Sequence, residues 1–426
     1  MRTFRWRESS EIPRACAAVL AALSFERSQA PSLSDLDDDD WRAALAFCDR
    51  SHLTLVLGEH CEAELPPWVR SRIAGNLEVN RRRIERLRQE YFEIQRRLAE
   101  ANLPHVVLKG FTHAPRFVSR AELRPQTDLD LYVSRGHLEA AAQILLDLGF
   151  ESGGSSSRPP ADHLPPFIRK TGWQWKGDYY DPDIPPVVEL HFRLWDAATE
   201  CFDADGVDLF PGRSEALAVD GGSVPSLCAA DQFGYACLHV LRHLLRGDLK
   251  AFHAYEIACF LHGQADSESL WRDWTAAHSG SLRQLEAISC ALAARWFGCR
   301  LPCAVEGEAG RLPAPVARWI AVYAHAPVAA LFSPKKHELW LHLSLLANWR
   351  DRLRVTRRRL APLSLPGHVD AVFVPAAQQT PRLRIKKWAA YGGFLARRLL
   401  FHTRALLSTA ASGLLWWLKK KTINGL

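Results

Sequence analysis

An alternation of charged and aliphatic residues at positions 128 to 133 constrains the fold of this chain more than any other feature. Asp128 and Asp130 alternate with Leu129, Leu131 and Val133, and this period of two predicts a β-strand. Residues two apart on a strand share a face, so both carboxylates point one way and the aliphatic side chains point the other. Adjacent carboxylates repel unless a cation lies between them. The pattern therefore predicts a divalent metal site, for Mg²⁺ or Mn²⁺, on one face of a small sheet.

A second predicted strand carries another carboxylate that could take part in the same site. Residues 187–192 read VVELHF, in which Glu189 and His191 share one face. Mg²⁺ takes hard oxygen ligands, commonly one or two carboxylates together with substrate phosphates. Glu189 can complete a second metal position or accept the proton of an attacking hydroxyl. His191 can hold that carboxylate in place or contact the substrate, with a purely structural role as the alternative.

The segment before Asp128 carries the residues expected to meet a nucleotide. An apolar run at 106–108 ends at Lys109 and Gly110. Gly110 lets backbone amides approach a phosphate closely, because it has no side chain. Lys109 or Arg124 can offset the negative charge of a triphosphate. Together these residues predict a site for a metal-bound NTP.

Four motifs resemble those of the uncharacterised bacterial nucleotidyltransferases of the DNA polymerase β superfamily: LKG at 108–110, RPQTDLDLYV at 124–133, LGF at 148–150 and VELHFRLW at 188–195. The resemblance covers about residues 100 to 200 and extends loosely into the helices that follow. It implies an α+β fold with a small mixed-sheet core flanked by N-terminal helices and an all-helical C-terminal domain.

The same resemblance implies roles for individual residues. Asp128 and Asp130 are implied as metal ligands, Glu189 as the third acidic residue and Gly110 as the glycine of the nucleotide loop. The implied activity is metal-dependent transfer of a nucleoside monophosphate from an NTP to a hydroxyl of an acceptor that the sequence does not identify.

One position departs from the wider superfamily, in which Gly-Ser is usual at the nucleotide loop. Phe111 follows Gly110 here, so the loop offers no hydroxyl to the phosphate at that position. A non-catalytic scaffold or regulator with the same fold is therefore one alternative. A glycosyltransferase that binds its metal through a DxD motif is another, but it predicts an extended α/β domain before Asp128, where this sequence predicts helices.

The whole sequence divides into four predicted regions. They are an N-terminal helical region (1–102), a nucleotidyltransferase-like α/β core (103–228), a helical domain (229–360), and a linker with a basic amphipathic tail (361–426). Helices are predicted at 12–23, 41–57, 68–102, 136–150, 231–246, 253–262, 270–277, 282–297 and 348–360, and loops at 153–166 and 362–381. The acidic run Asp37–Asp40 is predicted to cap the helix that follows it.

Composition narrows the classes of protein that remain. A hydrophobic content of 48% and a charged content of 24% are ordinary for a globular protein and exclude wholesale disorder. The formal net charge of +7 suits an anionic partner, whether a nucleotide, a nucleic acid or a lipid surface. Ten cysteines without paired spacing, and an N-terminus without an apolar signal, predict a reducing, cytoplasmic setting.

His239 and His243 form the other histidine motif of note. They lie one helical turn apart in the predicted helix 231–246 and therefore share a face. This spacing can bind zinc, but the sequence lacks the glutamate of an HExxH motif and an evident third ligand. A structural or phosphate-contacting role beside Arg242 and Arg246 is the favoured interpretation.

Two basic segments have alternative partners. The run Arg81–Arg83 predicts a solvated helix face, with contact to nucleic acid as the alternative. In the tail, the longest uncharged run, Ala405–Leu418, is shorter than the roughly 20 residues of a bilayer-spanning helix. Trp416 and Trp417 beside Lys419–Lys421 predict either an interfacial helix, peripheral at the inner membrane, or a helix docked on the protein's own core.

Overall fold

Helices surround one mixed β-sheet, so the fold is α+β as the sequence predicts. The computed structural model describes residues 11–26, 33–153, 162–361 and 379–423. The predicted loop at 153–166 and the predicted linker at 362–381 therefore lie largely outside the described residues.

Up to residue 263 the described helices are α1 (Arg14–Ala22), α2 (Asp38–Ser51), α3 (Thr54–Cys61), α4 (Pro67–Glu100), α5 (Leu138–Asp147), α6 (Ala197–Glu200), α7 (Ala229–Arg246) and α8 (Ala251–Gly263). After it they are α9 (Glu268–Ala277), α10 (Gly280–Phe297), α11 (Cys303–Gly310), α12 (Ala314–Tyr323), α13 (Ala326–Ala329), α14 (Glu338–Leu345), α15 (Trp349–Leu360) and α16 (Pro381–Ile423). The strands are β1 (His105–Val107), β2 (Asp128–Val133), β3 (Glu151–Ser152), β4 (Phe167–Ile168), β5 (Val187–His191), β6 (Ser214–Val219) and β7 (Gly222–Leu227).

The seven strands form one sheet in the order β3-β4-β5-β2-β1-β7-β6. β2 lies at its centre, parallel to β5 and antiparallel to β1. The β6–β7 hairpin is absent from the sequence prediction. Its turn residues, Asp220 and Gly221, have φ values of 51° and 78°, and an Asp-Gly pair between two strand-like runs is the sequence signal that could have revealed it.

The two faces of β2 meet different surroundings, as the alternation of its residues predicts. Leu129, Leu131 and Val133 are fully buried in a core shared with α4 and α5. Residues of α7 and α8 line a cavity together with Lys109, which lies beside the carboxylates of β2. The sheet therefore lies between a two-helix layer and the larger helical part of the molecule.

The N-terminal helices belong to the larger of the two cores. Buried residues of α1, α2 and α3 form one hydrophobic cluster with those of α7, α8, α10 and α12. A backbone hydrogen bond of 2.7 Å from the N–H of Phe25 to the carbonyl oxygen of Phe297 ties the chain after α1 to the end of α10. α4 then leads from this core to the sheet.

The helix prediction at 41–57 is wrong, whereas the predicted acidic cap is confirmed. α2 ends at Ser51, because His52 adopts a left-handed conformation with φ of 62°, and α3 begins at Thr54. Asp37 is the N-cap of α2, and its carboxylate accepts hydrogen bonds from the N–H groups of Asp39 and Asp40 at 2.9 and 2.8 Å. Periodicity cannot detect such a two-residue break, since apolar residues recur on both sides of it.

The run Arg81–Arg83 is solvated only in part. Arg81 and Arg82 are exposed and pair with Glu78. Arg83, by contrast, is 3% exposed and donates hydrogen bonds to the carbonyl oxygens of Tyr179 and Asp181 at 3.2 and 3.0 Å. The prediction of a uniformly solvated basic face is therefore wrong for Arg83, which α4 directs into the protein.

The C-terminal helix α16 is the longest in the structure, with 43 residues. Within the residues that the structure describes, no helix combines the length and the hydropathy needed to cross a membrane.

Candidate metal centre

The central carboxylates lie on two adjacent strands in direct register. Asp130 of β2 pairs with Glu189 of β5, Asp128 pairs with Val187, and Tyr132 pairs with His191. Because β2 and β5 are parallel and paired residues point to the same side, Asp130 and Glu189 lie next to each other. His191 follows two residues later on the same face, as the sequence predicts.

Lys109 is inserted between the two aspartates of β2. The N–H of Leu108 donates to the carbonyl oxygen of Asp130 at 3.0 Å, which aligns the end of β1 with the middle of β2. The Nζ of Lys109 then lies 3.2 Å from Asp128 Oδ2 and 3.1 Å from Asp130 Oδ2. Although burial opposes it, the charges of both aspartates raise the pKa of Lys109 above its usual value. The ammonium group stands where the sequence predicts a need for a cation.

His191 provides a second internal cation. Its Nε2 lies 3.2 Å from Asp130 Oδ1 and 3.5 Å from Glu189 Oε2. Burial lowers the pKa of His191, but these two hydrogen-bonded carboxylates outweigh it and raise the pKa to about 9. The three carboxylates therefore have two cations, Lys109 and His191, in direct contact.

The carboxylates respond differently to these cations. Although burial opposes it, the charges of Lys109 and His191 lower the pKa of Asp130. Burial likewise opposes ionisation of Glu189, but the hydrogen bond from His191 lowers the pKa of Glu189. For Asp128, burial and the neighbouring Asp130 outweigh Lys109, and the pKa is raised. Asp130 and Glu189 are thus ionised at neutral pH, as a metal ligand must be.

The residues present fit a divalent metal. Asp130, Glu189 and His191 each offer a ligand atom, and these atoms all lie within 4.8 Å of one another. Asp130 Oδ2 accepts no well-directed hydrogen bond and lies 3.1 Å from the Nζ of Lys109, so a metal that displaced this ammonium could take up the oxygen. Carboxylate oxygens suit Mg²⁺ and Mn²⁺, and His191 could add a nitrogen ligand for Mn²⁺ by giving up one of its two ring protons.

Asp128 lies beside this convergent group rather than within it. Its side chain is 31% exposed, and its ion pair with Lys109 directs it toward the end of β1. The structure thus brings together Asp130, Glu189 and His191, while the sequence predicts Asp128, Asp130 and Glu189 as the ligands. Asp128 remains a predicted ligand at the solvent-exposed side of the cluster.

Gly110 supports the site through its backbone. It has a φ of 89°, and a Cβ at this position would lie 2.1 Å from Nε2 of Gln126. Gln126 uses that nitrogen to donate a 2.6 Å hydrogen bond to the carbonyl oxygen of Asp128. Only glycine combines this conformation with this close approach, so Gly110 allows Gln126 to fix the start of β2.

The residues after Gly110 turn inward in a short 3₁₀ helix, Gly110–His113. Phe111 is 2% exposed and packs against Tyr91, with ring centroids 5.5 Å apart. The hydroxyl of Thr112 donates to the carbonyl oxygen of Lys109 at 3.4 Å. Phe111 is therefore a core residue, and the role of Gly110 in binding a nucleotide remains a prediction.

Arg124 has a partner that the sequence does not reveal. Its Nε donates a 3.0 Å hydrogen bond to Oε1 of Glu256 in α8, and both side chains are buried. His113 and His253 contact the same carboxylate, at 3.0 and 3.3 Å. Because Arg124 and Glu256 are far apart in sequence, local pattern carries no signal for this pair. In this structure Arg124 links the loop before β2 to the helical domain, and its contact with a triphosphate remains a prediction.

The histidine motif of α7 is engaged within the protein. His239 Nδ1 accepts a 3.3 Å hydrogen bond from Arg242, and His243 Nδ1 donates a 2.9 Å hydrogen bond to Asp248. Burial, aided by nearby cations, lowers the pKa of His239 well below its usual value. Within the described ranges, His239 and His243 do not belong to a group whose ligand atoms converge. These contacts agree with the structural interpretation.

A family comparison agrees with this arrangement. Residues 37–298 match the model of a family described as uncharacterised nucleotidyltransferases. The chain belongs to this family. The matched span includes α2 to α10 and the whole sheet, and so it contains every predicted site residue, whereas α11 to α16 follow it. No curated protein and no solved structure matches the chain.

Proposed function

We propose that this nucleotidyltransferase transfers a nucleoside monophosphate from an NTP to a hydroxyl of an acceptor, with Mg²⁺ or Mn²⁺ as cofactor. Asp130, Glu189 and His191 would hold the metal, and Asp128 would complete its ligands from the exposed side. We also propose that the family belongs to the DNA polymerase β-like superfamily, because carboxylates on adjacent strands of a mixed sheet follow that plan. The family match supports the transferase class.

One observation carries the proposal. Asp130 and Glu189 are paired across parallel strands, and their ligand atoms converge with that of His191 within 4.8 Å. Packing like charges this closely is unfavourable without a cation, so a cation-binding role accounts for the arrangement.

Each side chain has a distinct task in this proposal. When bound, the metal supplies Lewis-acid stabilisation of negative charge on the triphosphate. Lys109, no longer needed to neutralise the aspartates, offers its ammonium group to phosphate oxygens. Glu189 is ionised and 27% exposed, so it can accept the proton of an attacking hydroxyl or bind a second ion.

The direct test is Mg²⁺-dependent binding of a panel of labelled NTPs, measured by equilibrium dialysis. We expect binding that disappears on chelation and in the Asp128→Ala/Asp130→Ala variant. A matched control, Asp208→Ala/Asp220→Ala, removes two other aspartates of the same region and should bind as the wild type does. Absence of any metal-dependent NTP binding by the folded wild-type protein would refute transfer and favour the non-catalytic scaffold.

The glycosyltransferase alternative is less well supported. The residues before β1 form helices α1 to α4 rather than an extended α/β domain, and the family match concerns nucleotidyltransferases. In the same assay, Mg²⁺-dependent binding of a nucleoside diphosphate sugar in place of an NTP would favour that alternative.

A further inference from the structure

Three aromatic side chains lie together on the connection between β4 and β5, residues 169–186. The ring of Trp175 lies 6.1 Å from that of Trp173 and 5.0 Å from that of Tyr179, in edge-to-face contacts at 65° and 73°. Trp173 and Tyr179 are partly exposed, and Trp175 is 47% exposed. These three residues, called the aromatic group below, therefore present π-surface to solvent although they contact one another.

The connection that carries the aromatic group is braced against α4. Arg83 donates hydrogen bonds to the carbonyl oxygens of Tyr179 and Asp181 at 3.2 and 3.0 Å, and Arg86 donates to that of Pro182 at 2.7 Å. The indole N–H of Trp173 donates to Asp181 Oδ2 at 3.0 Å. The rings are thus held in place before a ligand arrives, which lowers the entropy cost of binding one.

Sheet register places this connection at the end of the sheet where the carboxylate cluster meets solvent. The connection runs from Ile168, the last residue of β4, to Val187, the first residue of β5, and these two residues are paired. Val187 is also paired with Asp128, the first residue of β2, and its N–H donates to the carbonyl oxygen of Thr127 at 3.0 Å. Asp128 is the more exposed aspartate of β2, so the aromatic group and the open side of the cluster belong to the same end of the sheet.

Basic side chains lie close to both features. The ring of Tyr179 lies 6.0 Å from that of His52. Burial, together with the nearby charges of Lys250 and Arg124, lowers the pKa of His52 to about 3. Although burial opposes it, Glu256 and the two aspartates of β2 raise the pKa of Arg124. Arg124 is therefore near His52, which contacts the aromatic group, and near the aspartates as well.

We propose that the aromatic group binds the base of the NTP whose triphosphate lies at the metal centre. Every nucleobase has a flat π-face, and stacking on an exposed aromatic ring is a common way to bind it. The inference rests on the proposed transfer reaction and adds to it the residues that contact the base. Trp175 supplies the main stacking surface because it is the most exposed of the three rings.

The size of the exposed surface favours a single flat ligand over a protein partner. Within residues 162–196, all of which the structure describes, Trp175 is the only large apolar side chain with more than a third of its surface exposed. A stable protein interface buries about 800 Å² on each partner, which one exposed indole does not supply. One base, by contrast, has about the area of one indole face.

The test compares a ligand that has a base with one that lacks it. Equilibrium dialysis with Mg²⁺ measures the affinities of the full chain for labelled NTPs and for inorganic tripolyphosphate. The variant Trp175→Ala removes the stacking surface, and Trp175→Phe keeps an aromatic ring. Trp349→Ala, which removes a tryptophan that is 68% exposed on α15 and lies outside the family match, is the matched control.

We expect Trp175→Ala to bind the preferred NTP about tenfold or more weakly than the wild type, since a base loses its stacking partner. Its affinity for tripolyphosphate should be unchanged, because that ligand has no base. Trp175→Phe should lose less than about threefold, and Trp349→Ala should bind both ligands as the wild type does. The melting temperature should be the same in all four proteins, because the replaced side chains are exposed.

Two results would overturn this inference alone. Wild-type affinity of Trp175→Ala for every NTP that the protein binds would show that the aromatic group does not contact the base, and would leave it to the acceptor. An equal loss of NTP and tripolyphosphate affinity would assign Trp175 to the shape of the metal centre instead. Absence of any Mg²⁺-dependent NTP binding by the wild type is a different outcome, since it refutes the proposed transfer reaction and this inference with it.

Discussion

His191 and His278 each lie between two carboxylates, yet the two clusters are built differently. His191 is the last residue of β5 and faces Asp130 and Glu189, whereas His278 follows α9 and faces Asp231 of α7 and Glu286 of α10. In both clusters the carboxylates outweigh burial and raise the pKa of the imidazole. Composition alone therefore does not distinguish a candidate metal centre from a structural ion cluster.

The difference lies in which ring nitrogens are used. His278 directs Nδ1 to Glu286 at 2.8 Å and Nε2 to Asp231 at 3.0 Å, so the ring separates the two carboxylates. Arg213 and Trp274 donate to the remaining oxygens at 2.6 to 2.8 Å, which saturates the cluster. His191 directs one nitrogen, Nε2, toward both carboxylates, so their oxygens converge and its Nδ1 stays unused. Convergent, unsaturated ligands can bind a cation, and separated, saturated ones act as a brace.

The largest expected effect comes from Asp130→Asn. This change leaves two carboxylates with two cations, so the fold should change in stability by no more than about 1 kcal/mol. Metal affinity should fall about a hundredfold and transfer about a thousandfold, because Asp130 is the central ligand. Calorimetric titration with Mn²⁺ measures the first quantity. Unchanged Mn²⁺ affinity would show that Asp130 is not a ligand of the metal.

The matched change in the other cluster, Asp231→Asn, should lower the stability of the fold and leave the metal affinity unchanged. It removes a negative charge from beside the fully buried His278 and the partly exposed Arg213, which is expected to lower the free energy of unfolding by about 3 kcal/mol. Mn²⁺ affinity should stay at the wild-type value. Urea denaturation and the same titration decide the matter, and a variant as stable as the wild type would contradict the description of this cluster as a brace.

A smaller effect is expected from Lys109→Met. Methionine fills a similar volume without the ammonium that occupies the space between Asp128 and Asp130. Mn²⁺ should bind about tenfold more tightly, because the ion no longer competes with an internal cation. Lys170→Met, which breaks an ion pair with Glu151 away from the cluster, is the control. Weaker binding by Lys109→Met would show that the lysine organises the ligands instead.

The smallest expected effect is a pH dependence carried by His278. Burial lowers its pKa, but Asp231 and Glu286 raise it above the unfolded-state value of about 6.5. Protonated His278 therefore stabilises the fold below that value, and the contribution is lost as the pH rises through the folded-state pKa. Urea denaturation from pH 6 upward (in steps of about one unit) should show that the free energy of unfolding falls more steeply with pH in the wild type than in His278→Gln. Parallel curves would contradict this assignment.

The sequence predicted the carboxylate cluster of β2 and β5 because strand period is local information. The alternation at Asp128 and Asp130, and again at Glu189 and His191, predicted which residues share a face. The pairing of Arg124 with Glu256 and of His278 with Asp231 depends on tertiary packing between distant segments, for which a single sequence carries no pattern. The same limit applies to Lys109: its position after β1 was predicted, but its insertion between the aspartates depends on the β1–β2 pairing.

The direct register of Asp130 with Glu189 also bears on insertions and deletions. Side chains alternate along a strand, so deletion of one residue within β2 before Asp130 would turn its carboxylate toward the apolar core and bring a leucine to the side of Glu189 and His191. The same deletion in an exposed connection would leave the alternation of both strands unchanged. Variation in length should therefore be tolerated between the strands of this protein and excluded within them.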